Sequence, residues 1–353
     1  MPLIDDEFTT YDPELTENFW SIFTVNDDNS IVDSKLKSWI LFHNLEFMKW
    51  IHCFESLVGI PIGRIVHNSA ADAEEVSLSD FGEAKYRFFA HKKFRKDLEN
   101  RWALFGWGSP LFPDSKIRTN LFPAVAAGFF LASKEKLETQ RFKIEWNQYH
   151  ETQINCKFTH VKDKIPPPRG IEHLPWCRPF DVNKESRPPA FNLESQKVGW
   201  SVEGDPMFVI PCQFFNRLIG NVIGYGGDLE SDLARKWDLD GIDENINQSL
   251  IYAFVATKEV FLQSNVHVYL QDKHSWYSVI KAHLNQYGMG SIVNISENND
   301  STIFVLKLLP SLPLTIGKLV GLWERAYGKE SRCKISFEND SVELEISSLL
   351  EYV

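Results

Sequence analysis

Three short blocks of this chain recur in the same order, and that echo constrains the fold more than any other feature. Phe54, Leu57, Val58, Gly59, Ile62 and Gly63 fall in register with Phe215, Leu218, Ile219, Gly220, Ile223 and Gly224. Phe105-Gly-Trp-Gly-Ser109 returns as Tyr287-Gly-Met-Gly-Ser291. Gly128, Leu131, Glu135 and the stretch Arg141-Phe-Lys-Ile-Glu-Trp146 return as Gly317, Val320, Glu324 and Arg332-Cys-Lys-Ile-Ser-Phe337. The offsets are 161, 182 and 189 to 191 residues. A period of roughly 20–50 residues would indicate a solenoid. A period this long indicates a whole domain used twice, and 353 residues suit about two domains.

Local patterning supplies the elements. Apolar residues at helical spacing from Lys35 to Val58 predict a helix, with others over about 63–75, 83–104 (capped by Ser79 or Asp80) and 123–137. Arg141–Trp146 and Thr152–Phe158 alternate at period two around a polar turn and predict a β-hairpin. The second half repeats the plan. It has helices over about 212–223, 245–263, 276–287 and 316–327, a strand at Val266–Leu270, and hairpins pairing Ser291–Ile295 with Thr302–Leu306 and Cys333–Phe337 with Val342–Ile346. Helices mixed with antiparallel hairpins, without βαβ regularity, give an α+β class: two divergent copies of one helix-plus-hairpin domain, forming a pseudo-dimer. The expected organisation is a polar lead-in over 1–35, a first domain over 36–162, a Pro-rich linker over 163–206 and a second domain over 207–353.

Composition excludes some functions. A net charge of −11 disfavours sequence-independent nucleic-acid binding and anionic membrane surfaces, both of which need a basic face. The run His91–Lys96 is too short to reverse this and reads as a solvated helix face. The longest apolar stretch, Leu121–Ala132, is too short to span a bilayer. The acidic start, Met1–Glu7, does not read as a signal peptide. Five scattered cysteines without a CxxC fit a reducing compartment and hence a cytoplasmic protein.

Candidate chemistry is sparse. The two aromatic-Gly-x-Gly-Ser turns follow a helix and precede a strand. That order suits a helix cap and tight turn, not a nucleotide fingerprint. A ligand could pack against their aromatic and sulfur-bearing side chains, Phe105, Trp107, Tyr287 and Met289, with Tyr225 and Trp323 as further candidates. The pairs Gly59/Gly63 and Gly220/Gly224 predict close helix packing. His173 and Cys177 offer two metal ligands where a zinc site normally needs four, and His150 and His160 fit no known spacing. Glu135 and Glu324, at equivalent repeat positions, predict equivalent structural contacts. No catalytic constellation and no metal site emerge, and the cofactor is left unknown.

The stretch from Tyr287-Gly-Met-Gly-Ser-Ile-Val through Ile316-Gly-Lys-Leu-Val-Gly-Leu-Trp-Glu to Val342-Glu-Leu-Glu-Ile346 resembles the 4-vinyl reductase domain family. Residues 98–161 echo it more faintly. That fold group also holds heme nitric-oxide-binding domains and TRAPP-type transport subunits. The resemblance implies a small-molecule-binding module, in some relatives linked to tetrapyrrole synthesis, that often dimerises through its helices. Many members bind metal through cysteines near the last hairpin, where this chain has only Cys333, with Cys156 and Cys177 elsewhere. Tyr327, Ser331 and Arg332 are spaced too widely for the heme-type motif. The implied function is non-enzymatic binding of a hydrophobic or aromatic small molecule, a tetrapyrrole among the candidates. The alternatives are an assembly subunit binding protein partners and an accessory enzyme of tetrapyrrole metabolism, for which no residues stand out. A homo-oligomer is compatible with each. The second half, closer to the family pattern, is where a pocket is expected first.

Overall fold

The computed structural model describes residues 11–79, 81, 90–162, 166–168, 170–171, 174–177, 186–225, 227, 229–298 and 301–350. The expected cap Asp80 and the metal candidate His173 lie outside them. The architecture is α+β. The first half runs α1 (Pro13–Trp20), β1 (Phe23–Val25), β2 (Ile31–Asp33), β3 (Ser38–His43), α2 (Asn44–Val58), α3 (Gly63–Ser77), α4 (Ala90–Leu104), β4 (Ser109–Leu111), β5 (Lys116–Arg118), α5 (Pro123–Glu138), β6 (Arg141–His150) and β7 (Gln153–Val161). After β8 (Glu194–Ser195) and β9 (Trp200–Val202), the second half runs β10 (Asp205–Pro211), α6 (Cys212–Asn221), α7 (Ser231–Lys236), β11 (Trp237–Asp240), α8 (Glu244–Leu262), α9 (Ser275–His283), a single 3-10 turn at Asn285–Tyr287, β12 (Ile292–Glu297), β13 (Ser301–Lys307), α10 (Leu312–Tyr327), β14 (Ser331–Phe337) and β15 (Ser341–Ser348). With α7 and β11 set aside, both halves follow the same order of strand, helices, strand pair, helix and hairpin.

Each half closes with its own sheet, in the orders β4-β5-β7-β6 and β11-β14-β15-β13-β12. A third sheet, β1-β2-β3-β10-β9-β8, joins the halves. At its centre β3 and β10 pair antiparallel, with Leu41 opposite Val209. Both strands are apolar along nearly their whole length and buried on both faces, as strands between two layers must be. Each leads straight into a helix that packs on the other half. Trp50 of α2 donates its indole N–H to Thr257 Oγ1 of α8 at 2.8 Å. Asn221 of α6 donates to Ser69 Oγ of α3 at 3.0 Å.

The glycine turns cross over in the same reciprocal way. A Cβ at Gly106 would lie 2.8 Å from the Met207 carbonyl oxygen on β10, and one at Gly288 would lie 2.7 Å from the Trp39 carbonyl oxygen on β3. Both glycines take positive φ, near +78° and +76°, so the turn needs glycine twice over. One buried core therefore runs through both halves.

Several local expectations differ from the structure. Lys35 to Val58 is not one helix but β3 followed by α2, because Trp39, Ile40, Leu41 and Phe42 form an apolar run that pairs in the central sheet. Residues 11–35 are not a polar lead-in: α1, β1 and β2 bury Phe19, Phe23 and Ile31 completely. The Pro-rich stretch contributes β8, β9 and the start of β10, and it buries Trp176, Leu193 and Trp200. Val266–Leu270 joins none of the three sheets. Gly59 and Gly63 do not mediate close packing, since nothing lies within 4 Å of a Cβ built there; Gly59 caps α2 in the left-handed conformation. Close helix contact falls to the third block instead. A Cβ at Gly128 would sit 2.4 Å from the His67 carbonyl oxygen, and one at Gly317 would sit 2.4 Å from that of Phe254.

Candidate functional site

The aromatic turns sit differently in the two halves. In the first, Trp107 is fully buried, stacks on Phe129 at 4.0 Å and donates its indole N–H to the Val209 carbonyl at 2.7 Å. Phe105 lies between Phe23, Trp39 and Trp107, under the Arg101 guanidinium at 4.1 Å. Phe105, Trp107 and Phe129 are all buried here in ring contact. The register of the repeats sets Met289 opposite Trp107 and Lys318 opposite Phe129. Two aromatic rings thus become a flexible thioether and an amine, and a small pocket opens.

That inner pocket has room for about 20 Å³, the scale of one water. Its walls come from β3 (Leu41, Phe42), α2 (Glu46, Trp50), α8 (Thr257, Phe261), the turn residues Tyr287 and Met289, and Lys318 of α10. Phe261 and Tyr287 present their rings to the Lys318 ammonium at 4.9 and 5.9 Å. Glu46 Oε2 is 3.9 Å from Nζ, beyond hydrogen-bonding reach. Burial lowers the Lys318 pKa, and the Glu46 charge opposes that only in part. His283 is likewise lowered, by burial and then by the Lys318 charge, while burial raises Tyr287. His43 ends β3 at the pocket edge. Its Nδ1 accepts the Leu45 and Glu46 N–H groups as the cap of α2, and Nε2 lies 3.8 Å from Asp205.

Leu41 and Tyr287 also line a second, much larger cavity, an outer cleft of about 810 Å³. Its apolar surface includes Val25, Phe191, Val202 and Met207. Charges of both signs accompany them: Asp27, Glu203 and Asp205 against Arg187 and Lys281. The segment Ser186–Phe191 forms one wall. It is held by reciprocal backbone hydrogen bonds between Arg187 and Val25, at 2.8 and 3.0 Å, and by the Arg187 guanidinium donating to Asn29.

Of the side chains singled out in the sequence, the structure brings Tyr287 and Met289 together at the inner pocket. Phe105 and Trp107 lie in the core. Tyr225 is half exposed and lines neither cavity. Trp323 is buried, donating to Thr302 Oγ1 at 3.0 Å, and also lines neither. The sequence did carry a signal for Lys318, as the single charge in the run Leu312–Trp323. Glu46 and His283 gave none, because only packing of α2 and α9 near α10 brings them close.

Other charged clusters are structural. Glu135 accepts the Phe142 N–H at 2.7 Å and pairs with Arg141; Glu324 accepts the Ser331 N–H at 3.1 Å and faces Lys258 at 3.3 Å. Each ties the end of its helix to the hairpin that follows. A depression of about 290 Å³ lies over Glu75, Glu135 and Arg141, whose charges pair with one another. Burial pushes the thiols of Cys156, Cys212 and Cys333 up to about 12, so they are held protonated. Among the described residues, no three His, Cys, Asp or Glu side chains gather as a metal site, and no helix is long and apolar enough to cross a membrane.

No protein-family model, curated protein or solved structure matches the chain.

Proposed function

We propose that this is a non-enzymatic binding protein for a hydrophobic or aromatic small molecule, a tetrapyrrole among the candidates. The outer cleft carries this reading. Its volume of about 810 Å³ lies within the range of roughly 300–1,000 Å³ typical of small-molecule sites. Its apolar lining with a few charges at defined places is what such sites need to hold and orient a ligand. The inner pocket shares the walls Leu41 and Tyr287 with this cleft and carries one amine, that of Lys318. The resemblance to the 4-vinyl reductase family points the same way. So does the contrast between halves: the first fills with Trp107 and Phe129 the place that the second leaves open, as a duplicated pair does when one copy keeps the site. Scattered free cysteines favour the cytoplasm as its compartment.

Native mass spectrometry with an absorption spectrum, on protein purified from its source, tests the reading. A co-purifying small molecule or visible absorbance supports it and gives the ligand class. Apo mass, no absorbance and a stable complex with another protein would replace it with the assembly-subunit reading.

A further inference from the structure

The side chain of Lys318 is mostly covered, 12% exposed. It faces the inner pocket, its Nζ has no hydrogen bond to the described residues, and its only carboxylate neighbour there stands off at 3.9 Å. A free anionic ligand group is disfavoured beside it, because Glu46 lines the same pocket. A cation formed at Nζ, in contrast, finds Glu46 as counter-charge and the faces of Phe261 and Tyr287 already arranged around it.

We propose that Lys318 holds a carbonyl-bearing ligand covalently, as an imine. The inference rests on the binding-protein reading above and adds the point of attachment. The neutral amine attacks the carbonyl carbon with its lone pair and forms a C–N bond. Two protons from nitrogen leave with the carbonyl oxygen as water, giving the neutral imine. Uptake of one proton at nitrogen restores the single positive charge opposite Glu46. No electrons are gained or lost, and hydrolysis reverses the step. Burial favours the neutral amine that the attack requires. Glu46 on α2, His283 on α9, Tyr287 and His43 are the titratable groups around it.

Space selects the shape of the ligand. About 20 Å³ admits a terminal carbonyl but no ring. The rest of the molecule lies past Leu41 and Tyr287, in the outer cleft. The class is therefore an aldehyde at the end of a slim chain with an apolar or aromatic body.

The test uses the full chain, 3-phenylpropanal as probe and sodium cyanoborohydride to trap the imine as a secondary amine. Intact-mass and peptide mapping locate the label. Lys318 is expected to react at least about tenfold faster than exposed Lys157. Lys318→Met and Lys318→Arg should each lose the fast label while keeping the wild-type circular dichroism spectrum. Label spread by exposure, or a fast phase surviving in both folded variants, overturns the inference. Fluorescence of 1-anilinonaphthalene-8-sulfonate, followed in parallel, separates two failures. If the dye binds and Lys318 stays unlabelled, the imine is wrong and the binding reading stands. If neither occurs, both are wrong.

Discussion

His67 should make the protein sensitive to mild acid, and its surroundings set the size of the effect. The ring is buried on α3, stacked on Trp146 at 4.6 Å with an interplanar angle of 7°. Nδ1 lies 3.1 Å from Asn68 Oδ1, which can only accept, so Nδ1 carries the proton in the neutral ring. Nε2 is buried with no partner, and the Arg64 guanidinium lies over the same indole at 4.8 Å. Protonating Nε2 would bury a charge with no acceptor. Burial first, then Arg64, lowers the pKa from 6.5 to about 4 against the opposing Asn68 bond.

The unfolded chain therefore binds the extra proton below about pH 6.5 and the folded chain only below about pH 4. Stability falls with pH through that window and loses nothing further from this group below it. At one pKa unit per 1.36 kcal/mol the limit is about 3 kcal/mol, and roughly 2 kcal/mol of it is spent between pH 7 and pH 4.5. Carboxylates titrate in the same range, so the quantity to compare is wild type against His67→Phe, which keeps the stack on Trp146. Urea unfolding at pH 7 and 4.5 should show the variant losing about 2 kcal/mol less than wild type. A ring resonance titrating near 4 would agree. Equal acid losses within about 0.5 kcal/mol, or a resonance titrating near 6.5, would refute the argument.

Two further outcomes follow from buried contacts. Glu74 is completely buried, and Arg101 holds both its oxygens at 2.9 and 2.8 Å; Glu74→Leu strands the guanidinium and should cost about 3–5 kcal/mol, whereas adding Arg101→Met should recover most of it in a urea double-mutant cycle. A single-variant cost below about 1 kcal/mol would show that the pair is not desolvated. Gly317→Ala puts a Cβ 2.4 Å from the Phe254 carbonyl and 2.6 Å from Thr257 Cβ, so α8 and α10 must part at a cost of about 1–3 kcal/mol, read from the urea midpoint. Because Thr257 accepts from Trp50 and lines the inner pocket, the same variant should also slow labelling of Lys318. An unchanged midpoint would mean that this helix contact yields easily.

Much of the fold was legible in the sequence because its signals are local. Period-two alternation fixed the hairpins β6–β7, β12–β13 and β14–β15, and Pro123 and Pro313 marked the starts of α5 and α10. The glycines of the second and third blocks were visible, although not which backbone each approaches. What the sequence could not determine depends on partners far along the chain. Trp39-Ile-Leu-Phe42 is a strand because β10 lies beside it, 168 residues away at Leu41 and Val209. Residues 11–35 and the described parts of the Pro-rich stretch join the fold because the central sheet needs edge strands and the core needs Phe19, Phe23 and Trp200. The site itself is a tertiary product. Glu46, His283, Tyr287 and Lys318 come from four separate segments, and desolvation of the amine arises only when α2, α8 and α10 close around it. Periodicity and turn chemistry act over a few residues and can be read from them; burial, pKa and cavity shape are properties of the packed whole.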